Sequence, residues 1–182
     1  MSEHPEFSKI LPAQRWIHWA TVLMLIAVLF ATMIREAAES KLIRSASLSI
    51  HELCGLAVLT LTVLRIFVVA TGRRAGIVRG VMPRMGHTLL YLFLLYQPVI
   101  GLFVAQATGG KALNIFSLQL PQLLPADEDF STALLEVHEF VGWAFLALII
   151  GHVAMAIWHV YVQRDGYARE MMPVFVKPKK KE

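Results

Sequence analysis

Histidines are the residues of this sequence that point most directly to chemistry. The chain has 182 residues, of which 57% are hydrophobic, 16% are charged and seven are histidines. Four of the histidines, His18, His51, His138 and His152, lie inside or at the ends of long apolar stretches. Ionisable side chains inside membrane spans are costly and mark functional sites by default. The sequence thus predicts a site built from several imidazoles in an apolar setting.

The composition indicates an integral membrane protein. A soluble domain is about 45–50% apolar and about 25% charged, and this chain departs from both averages in the direction of a membrane protein. Disorder is excluded because it requires low hydrophobicity and high charge. The single cysteine, Cys54, excludes an internal disulfide, a cysteine metal cluster and covalent haem attachment. We expect contact with membrane lipid and no nucleic-acid partner.

Four apolar stretches are long enough to cross a membrane as helices, since about 20 residues are needed. They are Trp16–Ile34, Leu48–Ala70, Thr88–Val104 and Phe140–Val162. The predicted fold class is all-α, a four-helix transmembrane bundle. We expect residues 1–15 to form an N-terminal flank, 16–162 the bundle with its site, and 163–182 a basic tail. The segment Gln106–Val137 is expected to lie as a long loop over the outer mouth.

The distribution of lysine and arginine predicts the orientation. Most of these residues lie in the N-terminal flank, in the loop between the second and third spans, and in the tail. The other two loops hold few. Because cytoplasmic loops carry an excess of positive residues, both termini are expected in the cytoplasm.

Helix geometry sorts the candidate residues into two levels. His51 and His138 are expected near the outer entrances of the second and fourth spans, and His18 near the inner end of the first. His152 lies fourteen residues beyond His138, about 21 Å deeper on nearly the same face. Arg65 has the same relation to His51. An outer and an inner level follow, each with imidazoles from different helices.

Paired imidazoles on facing helices can hold an iron porphyrin from both sides. Four-helix bundles build such sites in their cores, and haem iron accepts histidine as an axial ligand. Two axial histidines leave no open iron position, which favours electron transfer over oxygen binding. Gly55 and Gly142 lie one turn beyond His51 and His138, where a missing side chain makes room for a flat ring.

Several assignments stay open on spacing alone. His159 shares the face of His152 and rivals it, although it lies about 31 Å from His138 along the helix axis. His87 suits a haem propionate, a quinone or a surface position equally well. Arg65 pairs with a propionate in one interpretation and extends to the inner membrane surface in the other.

The order of several short motifs resembles the bacterial cytochrome b561 family. They are Gln14-Arg15-x-x-His18-Trp19, His51, Gly86-His87-x-x-x-Tyr91, Pro98-x-x-Gly101, His138-Glu139, His152, His159, Arg164-Asp165-Gly166 and Met171-Met172-Pro173. The match runs from about Pro12 to Pro173. Each motif alone is weak, but their order and spacing are specific.

This resemblance implies a four-helix bundle with two b-type haems in the bacterial inner membrane. The implied axial ligands of the haem irons are His18 with His152 and His51 with His138. The family exchanges electrons with the quinone pool, and one branch oxidises periplasmic superoxide and reduces ubiquinone. His159 matches a position near the inner quinone site of that branch. An oxidoreductase of the superoxide oxidase type is therefore expected.

Other functions remain open at this stage. Glu52 stands where many family members have lysine, and the outer loops are acid-rich. A cationic periplasmic redox protein therefore suits the outer face as well as superoxide does. The chain also fits the cytochrome b anchor subunit of a larger dehydrogenase or hydrogenase. A haem-free transporter or metal site using the same histidines is the third alternative.

Overall fold

The computed structural model describes residues 11–71, 81–109, 114–115, 118–119, 122, 124–163 and 171. Within these ranges the chain forms four long helices, all long and apolar enough to cross a membrane. They are α1 (Pro12–Ala37), α2 (Lys41–Thr71), α3 (Val81–Ala107) and α4 (Glu128–Trp158), the last continued by π-helical residues His159–Gln163. The predicted all-α, four-helix transmembrane fold is confirmed. Two-residue strands, β1 (Asn114–Ile115) and β2 (Leu118–Gln119), pair antiparallel between α3 and α4.

Parts of the predicted organisation lie outside the described residues. These are most of the flank 1–15, nearly all of the tail 163–182, His4, and the basic residues Arg73, Arg74, Arg79 and Lys111. Met171 is described, and its carbonyl accepts a hydrogen bond from Trp19 Nε1 at 2.8 Å. Met171 therefore lies at the end of the bundle at which α1 begins and α4 ends.

The start of α4 differs from the prediction. Residues 128–137 were expected at the end of the long outer loop, beside its acidic run, but they form the first turns of the helix. The Asp127 side chain accepts a hydrogen bond from the Phe130 backbone N–H at 2.9 Å and caps the helix. Glu128 and Asp129 stand at the positive end of the helix dipole. As a result, His138 lies ten residues inside α4, as His51 lies ten residues inside α2.

The connection between α3 and α4 is tied to the end of α3. Gly109 adopts φ 61°, and a Cβ there would lie 2.6 Å from the Ala126 Cβ, so only glycine fits. The Asp127 backbone N–H donates to the Ala107 carbonyl at 3.0 Å, and Gln122 Nε2 donates to the Gln106 carbonyl at 2.6 Å. These bonds hold the start of α4 beside the end of α3.

Residues seven apart on every helix form three layers across the bundle. The inner layer, at the end where α1 begins, consists of His18, Arg65, His87 and His152. The middle layer consists of Leu25, Val58, Leu94 and Phe145, and the outer layer of Thr32, His51, Gly101 and His138. A seven-residue repeat returns to nearly the same helix face and is typical of helices that pack side by side in bundles.

The middle layer is the best-packed part of the bundle. Val58, Leu94 and Phe145 form its buried cluster, and Leu25 packs against them from α1. The Phe145 ring stacks on Phe93 with ring centres 5.5 Å apart. This apolar layer therefore separates the polar inner and outer layers and fixes the spacing between them.

Replacing Phe145 with alanine should destabilise the bundle by about 2 kcal/mol. The substitution leaves a cavity in the middle layer, which costs stability. The usual free energy of transfer from water does not add to this cost, because the side chain is in lipid when the bundle is unfolded. Phe145 is 6% exposed, whereas Phe140 on the same helix is 77% exposed and faces outward. Thermal unfolding in detergent should show a lower midpoint for Phe145→Ala and little change for Phe140→Ala. Equal midpoints for the two variants would contradict the packing described.

Candidate functional site

The outer layer brings His51 and His138 together. Their ring centres are 6.1 Å apart and the ring planes are inclined by 70°. His51 comes from α2 and His138 from α4, as expected from the sequence. Both rings are half-buried, so the bundle interior shields them from the surroundings without closing over them. The predicted outer level therefore exists as a facing pair.

Hydrogen bonds fix the proton on the His51 ring. The Thr32 hydroxyl donates its hydrogen to the Val28 carbonyl at 3.1 Å. His51 Nδ1 lies 3.0 Å from the hydroxyl oxygen and 3.4 Å from the Val28 carbonyl, which can only accept. Nδ1 consequently carries the proton and Nε2 presents a lone pair. Metal-binding histidines usually donate their second ring N–H in this way.

His138 is held by α3 through Gly101 and Gln97. A Cβ on Gly101 would lie 3.1 Å from His138 Cε1, so the missing side chain makes room for the imidazole. Gln97 Nε2 donates to the backbone carbonyl of His138 at 2.7 Å. Gln97 Oε1 and His138 Nδ1 are both buried with no hydrogen-bond partner among the described residues. The His138 imidazole therefore has a fixed place and unused hydrogen-bonding capacity.

The two glycines singled out in the sequence have different surroundings. A Cβ on Gly55 would meet nothing within 4 Å, which fits the expected space for a flat ring. A Cβ on Gly142 would lie 3.0 Å from Gln97 Nε2. Gly142 thus makes room for the Gln97 amide, and the expectation of open space beside it is wrong.

The inner layer gathers three histidines. His152 on α4 faces His18 on α1, with ring centres 6.5 Å apart. It also faces His87 at the start of α3, at 5.4 Å. His152 is therefore the α4 histidine at the centre of this layer, whereas His159 lies seven residues further along, in the π-helical turn. His87 is partly exposed, and its ring contacts His152.

Arg65 turns into the inner layer. Its Nη1 lies 2.8 Å from His18 Nδ1, and its Cζ lies 5.7 Å from the centre of the Tyr91 ring. Arg65 Nε is buried and has no hydrogen-bond partner in the described part of the chain. The alternative in which Arg65 extends to the membrane surface is therefore wrong.

The facing pairs fit axial ligation of iron. A metal–imidazole bond is about 2.0 Å and the nitrogen lies about 1.1 Å from its ring centre, so opposed ligands have ring centres about 6 Å apart. The distances of 6.1 Å and 6.5 Å agree with this value. Among the described residues no group of three histidine, cysteine or acidic side chains is arranged to hold a bare metal ion. The two ring-centre distances are thus compatible with ligation of a porphyrin iron by each pair.

Thr32, Gln97 and Gly101 are site residues that the sequence analysis did not identify as such. Thr32 lies fourteen residues after His18, and Gly101 fourteen after His87, the same spacing that separates His138 from His152. A search for residues fourteen positions from a layer histidine on each helix would therefore have identified Thr32 and Gly101. Gln97 has no comparable signal, because its role depends on the rotation of α3 against α4.

Comparison with known proteins identifies the family of the chain. The profile of the prokaryotic cytochrome b561 family matches residues 11–173. A probable superoxide oxidase, CybB, of Yersinia pestis is 26% identical over 163 residues, covering 86% of this chain and 92% of that protein. Cytochrome b561 homologs 1 and 2 of Escherichia coli (strain K12) are 27% and 30% identical over about half of each chain. The resemblance inferred from the motifs is confirmed.

Replacing Gly101 with leucine should displace the His138 ring and lower the haem content of the protein. The added side chain would enter the space that the imidazole occupies, since even its Cβ would lie 3.1 Å from Cε1. Gly151→Leu is the matched control, because a Cβ at Gly151 meets nothing within 4 Å. Haem content per purified chain should fall in the first variant only. Equal haem content in both variants would show that Gly101 does not position His138.

Proposed function

Because the chain belongs to the prokaryotic cytochrome b561 family, we propose that it is a di-haem carrier between the quinone pool and a periplasmic redox partner. Family membership makes it a b-type cytochrome of electron transfer, and its four spans make it a multi-pass bacterial membrane protein. The observation that carries the finer proposal is the pair of facing imidazoles in each of two layers, with ring centres 6.1 Å and 6.5 Å apart.

Each layer supplies the ligands of one haem in this proposal. His51 and His138 would hold the haem of the outer layer, and His18 and His152 that of the inner layer. Haem b supplies a one-electron couple between ferric and ferrous iron, tuned by ligands and hydrogen bonds. Thr32 keeps the proton of His51 on Nδ1. Arg65, with a buried and unpartnered Nε, offers a cation to a haem propionate.

The distribution of charge and the depth of the two layers support an orientation of the protein in the membrane. The basic residues of the flank, the second loop and the tail support cytoplasmic termini. The outer layer then lies towards the periplasm and the inner layer towards the cytoplasm. Ubiquinone is the proposed exchange partner at the inner end, where His159 follows His152 by two helical turns.

Superoxide is the first candidate for the periplasmic donor. Two superoxide anions each lose one electron and become dioxygen, while one ubiquinone takes up two electrons and two protons and becomes ubiquinol. The likeness to a probable superoxide oxidase supports this reaction. The α1–α2 turn carries charges of both signs, and Arg35 Nη1 lies 3.6 Å from Glu36 Oε1. Attraction of an anion there depends on Lys41 and Arg44, since Arg35 is partly neutralised.

A second candidate function is a haem-bearing anchor subunit of a larger respiratory dehydrogenase or hydrogenase. The acidic residues around the outer end favour it, because they suit a cationic protein surface better than an anionic substrate. In that case the same two histidine pairs would serve a partner protein instead of superoxide.

Replacing either outer histidine with alanine should remove one haem and spare the other. His51→Ala and His138→Ala each break the same facing pair, so both variants should bind one haem per chain, against two in the unchanged protein. Glu139→Gln, an exposed neighbour of His138, serves as control and should keep both. Haem-to-protein ratios from absorbance after extraction measure the outcome. Retention of both haems in either histidine variant would refute the outer pairing.

The isolated chain should reduce ubiquinone when superoxide is supplied. In detergent, an enzymatic superoxide source should drive ubiquinol formation, and superoxide dismutase should stop it. His51→Ala should be at least about tenfold slower, because it lacks an outer ligand. A rate equal to that without protein would exclude superoxide as the donor and favour the anchor subunit, which should then co-purify with a partner.

A further inference from the structure

A groove between α2 and α3 opens on the outside of the bundle, near the end at which α2 ends and α3 begins. Its volume is about 330 Å³. Its lining includes Ile66, Val69 and Ala70 from α2, and Thr88, Tyr91 and Leu95 from α3. Most of these side chains are exposed, and all except Thr88 and Tyr91 are apolar. The groove is therefore open to the lipid that surrounds the bundle.

The groove lies at the depth of the lipid acyl chains. Its lining residues belong to the second and third spans, and Thr88 is the first residue of the third. From Thr88 to Leu95 the α3 axis rises about 10 Å into the membrane. Water is absent from the hydrocarbon core, so a polar group there must find its partners within the protein. An apolar groove at this depth therefore suits a hydrocarbon chain.

Arg84 extends the groove-lining face of α3 towards the membrane surface. It precedes Thr88 by four residues and Tyr91 by seven, so the three residues share one helix face. Helical side chains lean towards the N-terminus of their helix, which for α3 is the end nearest the membrane surface. The exposed Arg84 side chain is thus expected at the level of the lipid headgroups. A guanidinium binds a phosphate through two parallel hydrogen bonds.

The charge at this end of the bundle favours an anionic headgroup. The connection between α2 and α3 contains three further arginines, Arg73, Arg74 and Arg79, and no acidic residue. At the opposite end, Glu36 and Glu39 lie where α1 passes into α2. A zwitterionic headgroup has no net charge, so it gains less than an anionic one from a group of cations.

We propose that the groove binds an acyl chain of an anionic phospholipid and that Arg84 binds the phosphate of its headgroup. Basic pockets between membrane-spanning helices on the cytoplasmic side are typical sites for anionic lipids. Tyr91 joins the groove to the inner layer, because Arg65 Cζ lies 5.7 Å from the centre of its ring. The bound lipid thereby supports the ring that Arg65 contacts. This lipid site does not depend on the haem ligands.

Native mass spectrometry of the full-length protein, titrated with lipid in mild detergent, tests the proposal. The unchanged protein should bind its first phosphatidylglycerol more tightly than phosphatidylcholine with the same acyl chains. Arg84→Gln should weaken phosphatidylglycerol binding about fivefold and leave phosphatidylcholine binding unchanged, because it removes one cation near the membrane surface. Ala70→Leu narrows the groove and should weaken the binding of both lipids.

Two matched variants serve as controls. Arg15→Gln removes a cation from the same end of the bundle, but on α1. Ala147→Leu adds the same side chain at an exposed position of α4 that does not line the groove. Both variants should bind the two lipids as the unchanged protein does.

Several results would overturn the proposal. Equal binding of the two lipids by the unchanged protein would show that the headgroup is not selected. Unchanged phosphatidylglycerol binding in Ala70→Leu would place the bound lipid outside the groove. If Ala70→Leu instead lost co-purified ubiquinone, or dissociated a dimer, with lipid binding unchanged, the groove would hold a quinone or a second copy of the chain. None of these results alters the expected haem content, so the lipid site and the di-haem function can fail separately.

Discussion

The site depends on one packing constraint, the seven-residue register that all four helices share. Because a heptad returns to nearly the same face, the same step that places Phe145 beneath His138 also places His152 beneath Phe145. The Val58, Leu94 and Phe145 cluster then locks the helices against each other. Two polar layers are thereby held at a fixed separation, about 21 Å along α4, with a dry layer between them. A slip of α4 by one residue would separate both histidine pairs at once, because α4 contributes one histidine to each pair.

The two polar layers use this register differently. The outer layer contains small or weakly polar neighbours, Thr32 and Gly101, which fix the orientation of one pair and add no charge. The inner layer contains a cation and a third imidazole within contact distance of the pair. A positive charge beside a haem disfavours the ferric form, which carries one more positive charge than the ferrous form. The effect of Arg65 on the reduction potential of the inner haem therefore depends on where its guanidinium points. Under the proposed function, the outer layer faces the periplasmic donor, and the inner layer, which contains the cation, faces the quinone.

The sequence was sufficient to predict most of this arrangement. Four spans follow from apolar length, and the pairing of His51 with His138 follows from helix geometry, because rise and turn per residue are constant. The sequence did not predict where α4 begins. The acidic run Asp127, Glu128 and Asp129 is typical of a loop, but in the structure Asp127 caps the helix and the other two form its first turn. The Gln97 bond to His138 and the inward turn of Arg65 were beyond reach, because they depend on helix rotation and rotamer choice. Spacing alone likewise left His152 and His159 as rivals.

The most direct test of the account is the haem content of the unchanged full-length protein, purified in mild detergent and combined with electron paramagnetic resonance of the oxidised state. Two facing histidine pairs predict two haems b per chain, both low-spin with two axial imidazoles and both fully reducible. A ratio of one or none, or a high-spin signal from either haem in the native protein, would contradict the central claim that the two layers are paired axial sites.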